Sequence, residues 1–264
     1  MAPSRDSQGK QALPRYAGFV MSAGRTGTVF LTKALKRLFP ESNVEHEPPL
    51  SRYEMMAGNF RNRTGMGGGL LRWAFIENRG ARLKRLKPGG VYIEINPFLC
   101  PIADLLPEIG LPLRILHIVR EPVDWARSIM SFKASGKFRP FIDLVPFAEP
   151  YPYPRPAGWA AMDKVVRTLW RWRYCNEQIL TLRRHAEAYA VIRYEDLFSE
   201  RGYQAALNTL FLTLSLPPVA NFEWFHIGER LNAAPPADSN AELTVDPEIV
   251  QSICGKLQRE LGYA

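Results

Sequence analysis

Tyr16-Ala-Gly-Phe-Val-Met-Ser22, continued by Ala-Gly24-Arg25-Thr26-Gly27-Thr28, is the stretch on which the fold depends. Its first half is a short apolar run bounded by turn residues, the pattern of a buried strand. Gly24 and Gly27 then permit tight backbone turns. Beyond them Leu31, Ala34, Leu35, Leu38 and Phe39 recur at i, i+3, i+4, i+7 and i+8, with Lys33, Lys36 and Arg37 off that stripe. That spacing predicts an amphipathic helix. Successive N–H groups at a helix N-terminus form an anion cradle, and Ser22, Arg25, Thr26 and Thr28 can add a cation and hydroxyls to it. The same residues also suit an ordinary strand–helix turn. A nucleoside-triphosphate loop would read GxxxxGK[ST]; here Gly27 is followed by Thr28 and Val29, which disfavours magnesium–ATP chemistry.

Reading outward, strands are expected near Asn43-Val-Glu45, over Val91-Tyr-Ile-Glu-Ile95 and over Leu113-Arg-Ile-Leu-His-Ile-Val119. Glu121-Pro122 places proline in the first turn of a further helix. Gly65-Met-Gly-Gly-Gly69 punctuates the region between. Residues 138–158 carry six prolines and predict a long surface loop, a lid over an acceptor site, within an insertion at about 134–160. A Trp- and Arg-rich helix at about 160–185, a strand Tyr189-Ala-Val-Ile-Arg193 and an amphipathic helix from about Asp246 to Leu261 complete the chain. Strands alternating with helices predict an α/β domain over 16–264, its parallel sheet covered on both faces. Ligands of such sheets bind beyond the carboxyl ends of the strands.

The 264 residues, 46% hydrophobic, suffice for one well-filled core. Residues 1–15 read as a flexible polar tail rather than a signal peptide, and no run approaches the length of a membrane span. Cys100, Cys175 and Cys254 form no CxxC pair or Cys/His cluster, so neither a zinc site nor any other metal is expected. That usage suits a reducing, cytoplasmic setting without stable membrane insertion. The net charge of +8 fits either a site for a polyanion or a basic solvated surface.

Two further segments carry candidate chemistry. In Val119-Arg-Glu-Pro-Val-Asp-Trp-Ala-Arg-Ser128, Arg120 stands at a strand end and Ser128 eight residues on, inside the next helix. A long cation and a short hydroxyl can converge on one phosphate from there; Arg120 paired to a carboxylate and Ser128 facing solvent is the alternative. Ile192-Arg-Tyr-Glu-Asp-Leu197 runs from strand into helix, and Glu195 and Asp196 suit the positive helix end.

In this order and on these elements, the segments resemble those of sulfotransferases that use 3′-phosphoadenosine 5′-phosphosulfate (PAPS), of the bacterial and carbohydrate type. SAGRTGT is similar to the loop that binds the 5′-phosphosulfate, REPVDWARS to the 3′-phosphate segment, and RYEDL, Leu261-Gly-Tyr263 and the tryptophan helix ending in Asn176 to further recurrent segments. The resemblance implies the sulfotransferase fold, with a P-loop-NTPase-like central sheet, and PAPS as donor co-substrate. By it Ser22, Gly24, Arg25, Thr26, Gly27 and Thr28 would hold the 5′-phosphosulfate, Arg120 and Ser128 the 3′-phosphate, and Tyr194 would join the donor site. Arg25 stands where many members have lysine; its help must be electrostatic, because guanidinium keeps its proton.

The resemblance also implies a base to take the acceptor's proton. Glu47 precedes Pro48 as in the EP segments of carbohydrate-type members and ranks first, ahead of Glu94 and His46. Strand alternation would put Glu45 and Glu47 on one face and His46 on the other. The expected partners are a small-molecule, lipid or carbohydrate acceptor and no nucleic acid. A non-catalytic nucleotide- or anionic-glycan-binding protein of the same fold, and a small-metabolite kinase, are the competing readings.

Overall fold

In a computed structural model describing residues 16–86, 91–131, 145, 147–219 and 245–263, Ala17–Met21 forms strand β1 at the centre of the sheet. All five of its residues are buried. Ala17, Phe19 and Met21 point into one apolar cluster and Val20 into the other, as a strand covered on both faces requires. The remaining strands are β2 (Asn43–His46), β3 (Tyr92–Ile95), β4 (Leu113–Val119) and β5 (Ala186–Arg193). They pair in parallel in the order β2-β3-β1-β4-β5.

The helices are α1 (Thr28–Leu38), α2 (Ser51–Thr64), α3 (Gly68–Leu83), α4 (Pro122–Ser131), α5 (Lys164–Leu180), α6 (Tyr194–Leu197), α7 (Tyr203–Thr213) and α8 (Pro247–Glu260). A 3₁₀ segment, Pro97–Ile109, links β3 to β4. One face of the sheet is covered by α1 and α7, through Leu31, Leu35, Leu207 and Leu210. The other is covered by α3, the 3₁₀ segment, α4, α5 and α8, through Phe75, Leu106, Trp125, Trp172 and Cys254. At about 1.5–3 kcal/mol for each large side chain removed from water, these two clusters are what hold the layers together.

The chain leaves β1 toward β2 on one side of the sheet, and leaves β4 toward β5 on the other. Parallel crossovers are right-handed, so the connecting helices fall on opposite faces and a crevice opens between the carboxyl ends of β1 and β4. Loop 22–28 and Arg120 both lie at that crevice. The parallel sheet with helices on both faces is the expected α/β arrangement. The expected tail 1–15 lies outside the described residues, as do 138–144 and 146 of the expected lid. Its remainder, 147–158, contains turns but neither helix nor strand. Among the described residues, no helix is long and apolar enough to cross a membrane.

Candidate active site

The loop after β1 takes three left-handed residues in four positions: Gly24 at φ 88°, Arg25 at 56° and Gly27 at 76°. Gly27 is required twice over, since a Cβ there would also meet the Phe198 ring at 2.5 Å. The Gly24 N–H donates to Ser22 Oγ at 3.1 Å, closing the first turn. Gly27 caps α1 without a side-chain hydrogen bond, and the first turn of α1 carries no acidic residue. The positive end of that helix therefore keeps its attraction for an anion.

Two tryptophans clamp this loop to its neighbours. Trp125 of α4 donates its indole N–H to Gly24 O at 2.8 Å, and Trp172 of α5 donates to Arg120 O at 2.8 Å. Both side chains are fully buried, and a buried indole N–H needs such a partner. Arg120 donates from Nη1 to Arg25 O at 3.2 Å and lies over the Tyr194 ring, 4.4 Å from its centroid. Arg25 donates from Nε to Ser128 Oγ at 3.2 Å. Three sequence segments about 100 and 70 residues apart thus meet at one point. Burial, then the nearby charge of Arg120, pulls the Arg25 guanidinium below the usual arginine range. Two buried polar atoms at this point, Thr26 Oγ1 and Arg120 Nε, have no hydrogen-bond partner among the described residues.

Trp125 and Trp172 are not singled out by the sequence reading. Trp125 lies three residues before Ser128, hence on the same helical face, and that spacing was the available signal. Glu195 accepts from the Glu121 N–H at 2.9 Å and from Tyr263 Oη at 2.8 Å, while Asp196 pairs with Arg193 at 2.7 Å. Glu195 thereby ties Tyr263 to the loop after β4.

The candidate bases are placed very differently. His46 ends β2, and its Nε2 lies 3.2 Å from Thr28 Oγ1 and 3.9 Å from Glu47 Oε1. Burial pushes His46 below the ordinary imidazole value, against the attraction of Glu47. Glu47 is left-handed, at φ 44°, although it precedes a proline. Because β2 has ended, this turn breaks the alternation that would have set Glu47 opposite His46 and beside Glu45. Glu45 instead pairs with Arg82 of α3, and Glu47 is turned back to the His46 side. The Glu47 side chain remains 36% exposed, open to a ligand. Glu94 is fully buried and accepts from Arg79, from Tyr92 Oη at 2.6 Å and from Asn96 at 2.8 Å. Through Arg79 it shares a network with Glu54 of α2.

Behind β4, His117 is fully buried between Tyr189 Oη and Asn176 Oδ1, each at 2.8 Å. Burial holds it down to about 4. The unfolded chain takes up this proton near pH 6.5 and the folded chain only near 4, so stability is full above 6.5 and lost as pH falls through that window. The loss should reach about 3 kcal/mol. Denaturant unfolding at pH 7 and pH 4.5 should show a steeper loss for wild type than for His117→Gln. Parallel losses would assign the acid sensitivity elsewhere.

No family model and no curated protein matches the sequence. Solved structures do match. A sulfotransferase from Alicyclobacillus acidocaldarius aligns with TM-score 0.51 and 16% identity over 96% of this chain and 97% of its own. Sulfotransferase STF9 from Mycobacterium avium aligns with TM-score 0.52 and 14% identity over 96% of this chain and 78% of its own. At such identities the likeness is one of architecture, and with the order of its strands and the loop after β1 it establishes that this chain has the sulfotransferase fold.

Proposed function

We propose that the chain is a PAPS-dependent sulfotransferase, moving the sulfuryl group of PAPS to an acceptor hydroxyl or amine. The observation that carries the reading is the convergence of Arg25, Ser128 and Arg120, with the buried Thr26 Oγ1 and Arg120 Nε left unpartnered among the described residues. Buried polar atoms are costly without partners, and an anion at this point would supply them. A phosphate held on the α1 N-terminus by Gly27, Thr28 and Arg25, and a second held by Arg120 and Ser128, is the arrangement that a 3′,5′-bisphosphate nucleotide needs.

In the proposed reaction the acceptor oxygen attacks sulfur in line. The bond from sulfur to the bridging phosphate oxygen breaks, and the electron pair stays on the phosphate. Arg25 and the α1 N-terminus stabilise that charge, a contribution that is largest where water is excluded. Glu47 takes the acceptor's proton. His46, whose proton affinity burial lowers, places its Nε2 beside both Thr28 Oγ1 and Glu47, next to the phosphate loop. No metal enters the proposed step.

Calorimetry with adenosine 3′,5′-bisphosphate, AMP and ATP tests the reading. The bisphosphate should bind most tightly, whereas preference for ATP would indicate a kinase. Arg120→Ala should weaken the bisphosphate by about 1.5–3 kcal/mol, the worth of a charge-assisted hydrogen bond, and weaken AMP far less. Equal losses for both ligands would remove Arg120 from a 3′-phosphate site.

A further inference from the structure

Arg63, Arg155 and Arg167 come together from three separate segments and pair with no carboxylate among the described residues. The Arg155 guanidinium lies 4.8 Å from the Tyr151 ring centroid and 4.5 Å from that of Trp159; Arg167 lies 5.8 Å from the same Trp159 ring. Arg63, in the last turn of α2, covers Phe147 at 5.4 Å, and Asn59 of the same helix holds Phe147 O at 2.8 Å. Of the acids near it among the described residues, Glu149 is occupied by Arg171 at 3.0 Å and by Tyr151 Oη at 2.7 Å, and Asp163 caps α5 by accepting from the Val166 N–H at 2.8 Å. Arg167 spends one N–H on Ala160 O, and its buried Nε has no partner among the described residues.

Gathering three like charges is unfavourable unless something offsets it. Partial desolvation, and then the charges of Arg63 and Arg167, already depress the Arg155 guanidinium below the usual arginine range, although the residue as a whole is exposed. Aromatic faces offset part of this repulsion. An anion would offset the rest.

The cluster stands at the edge of the sheet where the phosphate loop lies. On α5, Trp172 meets Arg120 at the carboxyl end of β4, while Asn176 meets His117 three residues earlier in that strand. The helix therefore runs antiparallel to β4, and Arg167 projects beyond the strand end. One turn along, Arg171 lies 5.8 Å from the Trp125 ring, and Trp125 holds the phosphate loop.

We infer that Arg63, Arg155 and Arg167, with Tyr151 and Trp159 as platform, bind an anionic group of the acceptor, so that the enzyme sulfates an acidic substrate bearing a carboxylate, phosphate or sulfate. The inference rests on the sulfotransferase reading and on an anion site that can be tested separately from it.

The full chain, saturated with adenosine 3′,5′-bisphosphate to fill the nucleotide site, is titrated with inorganic tripolyphosphate. Wild type should bind it, and the double variant Arg155→Gln/Arg167→Gln should bind at least about 100-fold more weakly, about tenfold per arginine, with nucleotide affinity unchanged. Arg155→Gln alone, at an exposed position, should lose about tenfold if the double variant fails to fold. Absence of binding to wild type, or equal affinity in wild type and variants, overturns the anion site. A variant-sensitive tripolyphosphate site in a protein that does not bind the bisphosphate would keep the anion site but sink the sulfotransferase reading. With PAPS, turnover is then compared on 4-nitrophenyl β-glucuronide and 4-nitrophenyl β-glucoside, which differ in one carboxylate. Wild type should favour the glucuronide in kcat/KM and the double variant should lose that preference. Equal or lower kcat/KM on the glucuronide in wild type overturns the acceptor assignment.

Discussion

Glu47→Gln should lower turnover by about 10²–10⁴-fold, some 2.7–5.5 kcal/mol on the barrier, while PAPS and acceptor still bind. The substitution keeps the side chain's size and removes only its ability to accept a proton. The backbone gives a second reason to expect chemistry there: a glutamate at φ 44° before a proline is strained, and such strain persists where surrounding structure enforces it. Here the Glu47 N–H is tied to Ile95 O at 3.1 Å, and Ser51 caps Pro48 O. Wild-type turnover in Glu47→Gln would remove the assignment, and loss of activity in His46→Ala would then transfer the role to the imidazole beside Thr28.

Much of the sheet is legible from local pattern because β1, β4 and α1 each bury an uninterrupted or periodic apolar set. The α2–α3 hairpin is not legible for a physical reason. The positions that α2 buries are Ser51, Glu54, Met55, Gly58 and Asn59, so its inward face is polar or small and carries no apolar period. Gly58 is small because Ile102 packs at its Cα, where a Cβ would come within 2.4 Å. The 3₁₀ segment hides behind Pro97, Pro101 and Pro107, which read as loop although Leu99, Cys100, Ile102, Ala103, Leu105 and Leu106 between them all fill the core. Helix α7 is nearly apolar all round, leaving Leu212 exposed, and so shows little amphipathic contrast.

At the site, residue types were legible and sidedness was not. Arg25, Arg120 and Ser128 stand out in the sequence as candidates, from a strand–helix turn, a strand end and the helix that follows it, and the fold brings Arg25 within hydrogen-bonding reach of the other two. The side on which Glu47 lies is set by one backbone angle, which strand alternation does not encode. The clamps from Trp125 and Trp172 depend on which carbonyls the turns expose, a tertiary property. Glu94 is a candidate base from its place ahead of Asn96-Pro97, and its buried partner, Arg79, lies on a helix that the sequence pattern does not reveal.

Arg79→Met should destabilise the protein by about 3–5 kcal/mol, the cost of stripping a buried ion pair of one partner. Arg79 is fully buried and is shared between Glu94, at 2.8 Å, and Glu54. Burial works against its charge, yet the two carboxylates hold it above the usual arginine range. Asn78 and Asn96 donate to the same carboxylates, so the network binds α2, α3 and β3 into one unit. Methionine fills the volume but leaves two buried carboxylates without a cation. For a chain of this size the melting temperature should fall by about 6–20 °C. The comparison with Glu94→Gln decides what Glu94 does. If its role is structural, that variant should melt early while its turnover below the transition stays near wild type. If Glu94→Gln instead melts like wild type and loses turnover, Glu94 is the base after all, and the Glu47 assignment falls with it.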